Sequence, residues 1–149
     1  MTYEKSFTTK WADFDPNRHM RHSAYNDYAA EVRVRFFAEH GFSIDEFAKL
    51  HIGPILFKEE TSFFKEIKIG EDIRVDMVLE GASKNLERWR FTHHIYNQKN
   101  ELAAEVKVYG AWIDLNIRKL TAPPESFIRI FSDLSKTAKF VEIPLKSEK

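Results

Sequence analysis

Two hydrophobic periods divide this chain. Between Tyr25 and Phe37 the apolar positions Tyr25, Tyr28, Ala29, Val32, Phe36 and Phe37 recur at three- and four-residue spacing, with Asn26, Asp27, Glu31, Arg33 and Arg35 largely between them. That spacing predicts an amphipathic helix of about four turns. Ser23 is placed to cap its start and Gly41 to end it. Ser43 then caps a short second helix, Ile44 to Leu50, ahead of the breakers Gly53 and Pro54. From Ile55 to Leu120 the period becomes two. Ile55, Phe57, Glu59, Thr61, Phe63, Lys65 and Ile67 form one side of a long strand. Ile73, Val75, Met77 and Leu79 alternate with Asp72, Arg74, Asp76 and Val78 in the next. Trp89, Phe91, His93 and Ile95 share one face of Arg88 to Gln98. Leu102, Ala104, Val106, Val108, Gly110 and Trp112 share one face of Glu101 to Leu115, with Gly110 marking a bulge or a close backbone approach. Turns are expected at Gly70 to Asp72, Gly81 to Glu87 and Asn97 to Asn100. Thr2 to Trp11 is a weaker strand carrying Tyr3, Phe7, Thr9 and Trp11 on one side. Pro123 and Pro124 open a last helix, Glu125 to Lys139, and the tail from Phe140 to Lys149 runs extended and then frays.

The predicted order is strand, long helix, four antiparallel strands, terminal helix. Strands follow one another after a single helix, so the class is α+β rather than alternating α/β. One amphipathic helix can bury its apolar stripe against the concave face of a curved sheet. The 149 residues suit one domain, 1–149.

Composition narrows the function classes. Lys plus Arg and Asp plus Glu both number 23, which argues against a protein that coats nucleic acid. A net charge near zero also leaves self-association unopposed. With no cysteine, disulfides, thiolate metal sites and Cys nucleophiles are absent. No apolar run has signal-peptide or membrane-spanning length, so a cytoplasmic location without a membrane span is expected. Thirteen Phe, five Tyr and three Trp exceed what a core of this size needs, and point to an apolar pocket or a subunit interface as well.

The chemistry concentrates in Asp13 to Tyr28, DFDPNRHMRHSAYNDY. Pro16 keeps the backbone extended at Asp15. Asp15, Asn17, His19 and His22 fall within reach of one small volume at the start of the long helix, whose free N–H groups and partial positive charge would polarise a carbonyl oxygen. Asp15 can attack the carbonyl carbon or act as base toward water, Asn17 can orient water or substrate, and a His can protonate the leaving group. These parts suit hydrolysis of an activated acyl group such as a thioester. Asp13 and Asp15 are equally ordinary turn caps, and His19 and His22 ordinary surface or core residues. The Asp and His spacing matches no zinc pattern, and neither a Gly-x-Ser-x-Gly elbow nor a phosphate-binding loop is present. His93 and His94 are adjacent in a strand, face opposite ways and read as structural.

On these residues the chain resembles the hotdog-fold thioesterases, of the 4-hydroxybenzoyl-CoA and bacterial acyl-CoA thioesterase kind. The resemblance of layout covers roughly residues 3 to 120. Asp13, Asp15, His22 and Tyr25 fit the bacterial acyl-CoA pattern, in which the second Asp is catalytic and the His supports it. Asp15, Asn17, His19 and Tyr25 fit the Asp-x-Asn-x-His pattern of fatty acyl-carrier-protein thioesterases, where all three polar residues are implicated in catalysis and a sheet Glu assists; Glu80 is the nearest in chain order. The resemblance implies a hotdog fold, with a curved antiparallel sheet wrapped around a central helix. It implies an acyl-CoA substrate, or alternatively an acyl-carrier-protein thioester or a non-catalytic acyl-binding domain, without cofactor or metal. It also implies a homodimer or homotetramer with sites shared between subunits. Tyr25, Tyr28, Phe57 and Phe63 are the expected acyl-binding side chains. The Gly- and Pro-rich loop of the hydroxyacyl dehydratases in the same superfamily is missing.

Overall fold

An eighteen-residue helix, α1 (His22–Glu39), lies along one face of a curved sheet and buries Tyr25, Tyr28, Ala29, Val32, Phe36 and Phe37 against it. The computed structural model describes residues 2–145. The strands are β1 (Tyr3–Thr8), β2 (Ile52–Phe63), β3 (Asp72–Ala82), β4 (Arg88–Tyr96), β5 (Leu102–Asp114), β6 (Lys119–Thr121) and β7 (Lys136–Glu142). Their main order is β1-β3-β4-β5-β2, antiparallel throughout. β6 pairs with the end of β5, and β7 runs parallel to β3. The α+β layout expected from the two periods is therefore present, with two further strands. Val75, Met77, Trp89, Phe91, His93, Ile95, Ala104, Val106 and Trp112 are all essentially inaccessible, because each lies on the face that α1 covers or on its rim.

Helix ends follow local chemistry. Ser43 caps α2 (Ile44–Leu50) by accepting a hydrogen bond from the Glu46 amide at 3.2 Å, and Gly41 turns the chain at φ +94° where a side chain would be strained. α1 begins two residues earlier than expected. Arg21 holds the cap position, and the Ser23 hydroxyl accepts from the Arg21 guanidinium instead of from a backbone amide.

Four other boundaries differ from expectation. β1 ends at Thr8, and a short 3-10 turn, Trp11–Asp13, carries Trp11 out to solvent, 82% exposed. Gly53 and Pro54 sit inside β2, which the sheet tolerates because β2 is an edge strand and needs no N–H on its free side. β2 stops at Phe63 rather than running on to Ile67. The last helix, α3 (Glu125–Ile130), passes through a 3-10 turn into β7 because its apolar residues end at Leu134, and the following segment finds backbone partners along β3. The end of the expected tail, 146–149, lies outside the described residues.

Gly110 is the close approach that its place in β5 suggested. A Cβ there would collide with the Ile55 carbonyl oxygen and the Trp89 ring. Gly110→Ala is expected to cost about 3 kcal/mol, the scale of overpacking a filled core. Urea unfolding would measure it, and a loss below about 1 kcal/mol would show that Trp89 can give way.

Candidate active site

The loop between β1 and α1 is stitched by its own backbone. The Asp15 amide donates to the His19 carbonyl and the Arg18 amide to the Asp15 carbonyl, each at 2.9 Å, while Phe14 and Met20 form a bridge. The Asp15 side chain sits inside this turn. Its Oδ1 accepts from the Asn17 amide at 2.9 Å and the His19 amide at 3.1 Å. Among the described residues nothing donates to its Oδ2. Asp15 is thus a turn cap with one oxygen uncommitted, half-buried at the wall of an open cleft of about 660 Å³ with Trp11, Phe14, Pro16, Arg18 and Ile69.

Asp13 anchors the loop to the helix. It is 2% exposed, and its Oδ2 accepts from the Tyr28 hydroxyl and, at 3.0 Å, from the Lys10 amide. The Lys10 ammonium stands 3.3 Å from Oδ1. Burial pushes this carboxyl's pKa up, but the Tyr28 hydroxyl and the Lys10 amide and ammonium outweigh it and hold it below the usual range. The Tyr28 hydroxyl, buried and facing a carboxylate, is pushed up in turn. The Asp13 carbonyl accepts from the Arg21 amide at 2.8 Å, so both ends of the loop are fixed to the start of α1. That start has no side-chain cap and no acidic residue in its first turn; the Ala24 amide donates to the Arg21 carbonyl, which leaves the His22 and Ser23 amides for another acceptor.

The predicted residues fall into separate groups. Asp15, Asn17 and His19 share one turn. The His19 ring lines a second cleft of about 320 Å³, where its Nε2 meets Glu66 Oε1 at 2.7 Å. Tyr25 and Phe63 line that cleft too, edge to face at 5.1 Å. His22 is exposed at the first position of α1 and lines neither cleft. Tyr28 belongs to Asp13 rather than to a cleft. Phe57 lies elsewhere. It is an extra residue in β2, since Leu56 pairs with Gly110 and Lys58 with the adjacent Tyr109. This bulge turns its ring onto Tyr109 and Arg88, away from α1. Glu80 lies on that far side as well, paired with Lys107 at 3.1 Å and near the end of β3 opposite to Asp72, where β1 leads into the loop.

A third cavity, of about 270 Å³, opens between the middle of α1, α2 and the Pro54–Leu56 part of β2. Its walls are apolar or aromatic except for Arg33. Arg33 is 8% exposed and donates from Nη1 to His93 Nε2 at 3.1 Å, while His93 Nδ1 lies 2.7 Å from the Asp76 carbonyl oxygen. A carbonyl only accepts and a guanidinium only donates, so His93 carries its proton on Nδ1 and is neutral. Burial, with Arg33 adding to it, lowers the His93 pKa to about 3. Burial also lowers Arg33, to about 10, and Glu59 on β2 opposes this from beyond ion-pair distance. Sequence periodicity assigned Arg33 to the polar side of α1, yet it lies four residues after Ala29 and four before Phe37, on the buried stripe. That spacing was the available signal. Glu66, by contrast, had none.

The class follows from comparison with known proteins. The chain belongs to the thioesterase-like superfamily, whose family model matches residues 9–131. Its hotdog fold is shared with solved structures. One is a hypothetical protein from Staphylococcus aureus characterised in complex with CoA, with 23% identity over 92% of this chain and 87% of that one and a TM-score of 0.84. Another is a 1,4-dihydroxy-2-naphthoyl-CoA thioesterase from Synechocystis, with 18% identity over 90% and 98% and a TM-score of 0.80. A third, a DHNA-CoA thioesterase from Staphylococcus aureus, has 21% identity over 81% and 80% and a TM-score of 0.74. No curated protein matches the chain in sequence. Among the described residues, no helix is long and apolar enough to cross a membrane, and no group of three or more acidic or His side chains is arranged to hold a metal ion.

Proposed function

We propose that this chain is an acyl-CoA thioesterase that acts as a homodimer. The observation that carries the reading is the Asp15 carboxylate, stapled by one oxygen and free at the other, in the loop that feeds an uncapped helix N-terminus. A thioester carbonyl oxygen resting on the first amides of α1 would be polarised there. Asp15 Oδ2 then serves as base toward water or as nucleophile. With water, its oxygen bonds to the acyl carbon, the C–S bond breaks, CoA leaves as the thiol after taking up a proton, and the acid loses one to solvent. Asn17 and His19 orient water and substrate, and His22 assists at the helix start.

The dimer reading rests on β2. This twelve-residue strand pairs only with β5 among the described residues and exposes Leu56 and Phe63 beside its free edge. Its Phe63 end touches the start of α1, through Tyr25 and through the hydrogen bond of Thr61 to Asn26 at 2.5 Å. Its Pro54 end borders the Arg33 cavity. Two copies joined antiparallel along β2 would set the loop of each beside the Arg33 cavity of the other.

Free-thiol release from acetyl-, hexanoyl-, palmitoyl- and benzoyl-CoA tests the activity, and sedimentation velocity tests the dimer. Turnover of at least one ester by a dimeric species is expected. Release only from acyl-carrier-protein thioesters would move the thiol carrier. Release from neither would leave an acyl-binding domain without turnover.

A further inference from the structure

Arg33 is a cation in the wrong place for structure alone. A guanidinium offers five N–H donors. Among the described residues its only hydrogen bond goes to the neutral His93, and no carboxylate stands within ion-pair distance. Burying a charge without a partner is costly, and buried arginines are ordinarily matched by an acid. His93 cannot supply that match, since the Asp76 carbonyl fixes its tautomer with a lone pair, and no charge, toward Arg33. Glu59, the acid whose charge acts on Arg33, is exposed on β2. The side chain instead forms part of the wall of a cavity that is otherwise apolar.

We propose that the Arg33 cavity binds the distal carboxylate of a short acyl group, so that the preferred substrates are ω-carboxyacyl thioesters. The inference rests on the thioesterase reading and on pairing through β2. Arg33 lies eleven residues beyond His22, about 16 Å along α1 at 1.5 Å per residue, too far for a short chain whose thioester sits at the start of the same helix. The antiparallel β2 pairing brings the partner's loop beside the cavity instead. The scissile carbonyl then sits at one subunit's Asp15 loop, the methylenes run along the apolar wall of Leu56 and Phe47, and the far carboxylate meets the other subunit's guanidinium. The cavity's 270 Å³ is at the small end of ligand sites, which favours short chains.

The test compares kcat/KM for adipyl-CoA and hexanoyl-CoA, which differ by a terminal carboxylate, using wild type, Arg33→Met and Arg33→Lys. Binding of hexanoate, with hexanamide as the neutral control, is measured alongside by calorimetry. Wild type is expected to favour adipyl-CoA roughly 10- to 100-fold, the scale of one charged hydrogen-bonded contact. Arg33→Met brings the ratio to about 1, and Arg33→Lys keeps part of the preference because a point charge replaces the planar fork. Hydrolysis of hexanoyl-CoA with no wild-type preference for adipyl-CoA overturns the inference and leaves the thioesterase reading standing. No hydrolysis of either ester, with Arg33-dependent binding of hexanoate and not hexanamide, has the opposite meaning: the carboxylate site stands and the thioesterase reading falls. Equal binding of acid and amide by wild type, without turnover, removes both. The wild-type comparison decides even if Arg33→Met fails to fold.

Discussion

Asp15→Asn is expected to lower kcat at least about 100-fold while leaving the melting temperature within a degree or two, since positioned acid–base groups are typically worth 10²–10⁴. The separation is possible because the residue's two oxygens differ. Oδ1 accepts two loop amides, and an asparagine carbonyl oxygen can accept the same pair. Oδ2 is the atom available to take a proton or attack a carbon, and asparagine replaces it with an NH₂ group that does neither. Asp15→Ala, by contrast, loses the turn and the chemistry together. Thiol-release kinetics at saturating substrate, with thermal unfolding of the same samples, check both halves. Activity within about threefold of wild type would show that Asp15 only caps the turn and that the reacting carboxylate lies elsewhere.

Asp13→Ala acts on stability. It strips the acceptor from the buried Tyr28 hydroxyl and the Lys10 amide and removes the partner of the Lys10 ammonium. A loss of about 3 kcal/mol is expected, the cost of leaving buried donors unsatisfied. For a chain of this size that is roughly 6–12 °C in Tm. The pH dependence has a definite sign. The Asp13 carboxyl is held below its usual range in the folded state, so it binds its proton more readily when unfolded. Its contribution is complete above the unfolded value, about 3.9, and is lost as pH falls through the lower folded value. Wild type should therefore lose stability below about pH 4 more steeply than Asp13→Ala. Parallel curves through that range would mean that Asp13 does not carry the acid transition.

Local order explains what could be read from the residues. The turn of Asp15, Asn17 and His19 spans five residues, and proline and Asx chemistry define it without distant help. The inward-facing residues of β3 and β4 were equally legible, because Val75, Met77 and Leu79, and Phe91, His93 and Ile95, fall at every second position. Phe57 was not. A one-residue bulge between Leu56 and Lys58 reverses the facing of half a strand, and its cause is the pairing with β5, fifty residues on. The terminal segment failed similarly, since whether Lys136 to Glu142 pairs with β3 depends on the edge that β1 leaves open. The site's long-range partners, His19 with Glu66 and Arg33 with His93, join residues that no spacing rule relates.

The edge of β2 also governs how the protein behaves as a population. An uncovered strand of twelve residues is a template for any other strand, and Lys58, Glu59 and Glu60 near its middle act as charged gatekeepers against indiscriminate pairing. If the edge is closed by a second copy, part of the native state's free energy belongs to an association step. The midpoint of unfolding then rises with protein concentration, and dilution exposes an aggregation-prone monomer before it exposes an unfolded one. Assembly would then protect the chain as well as complete its sites.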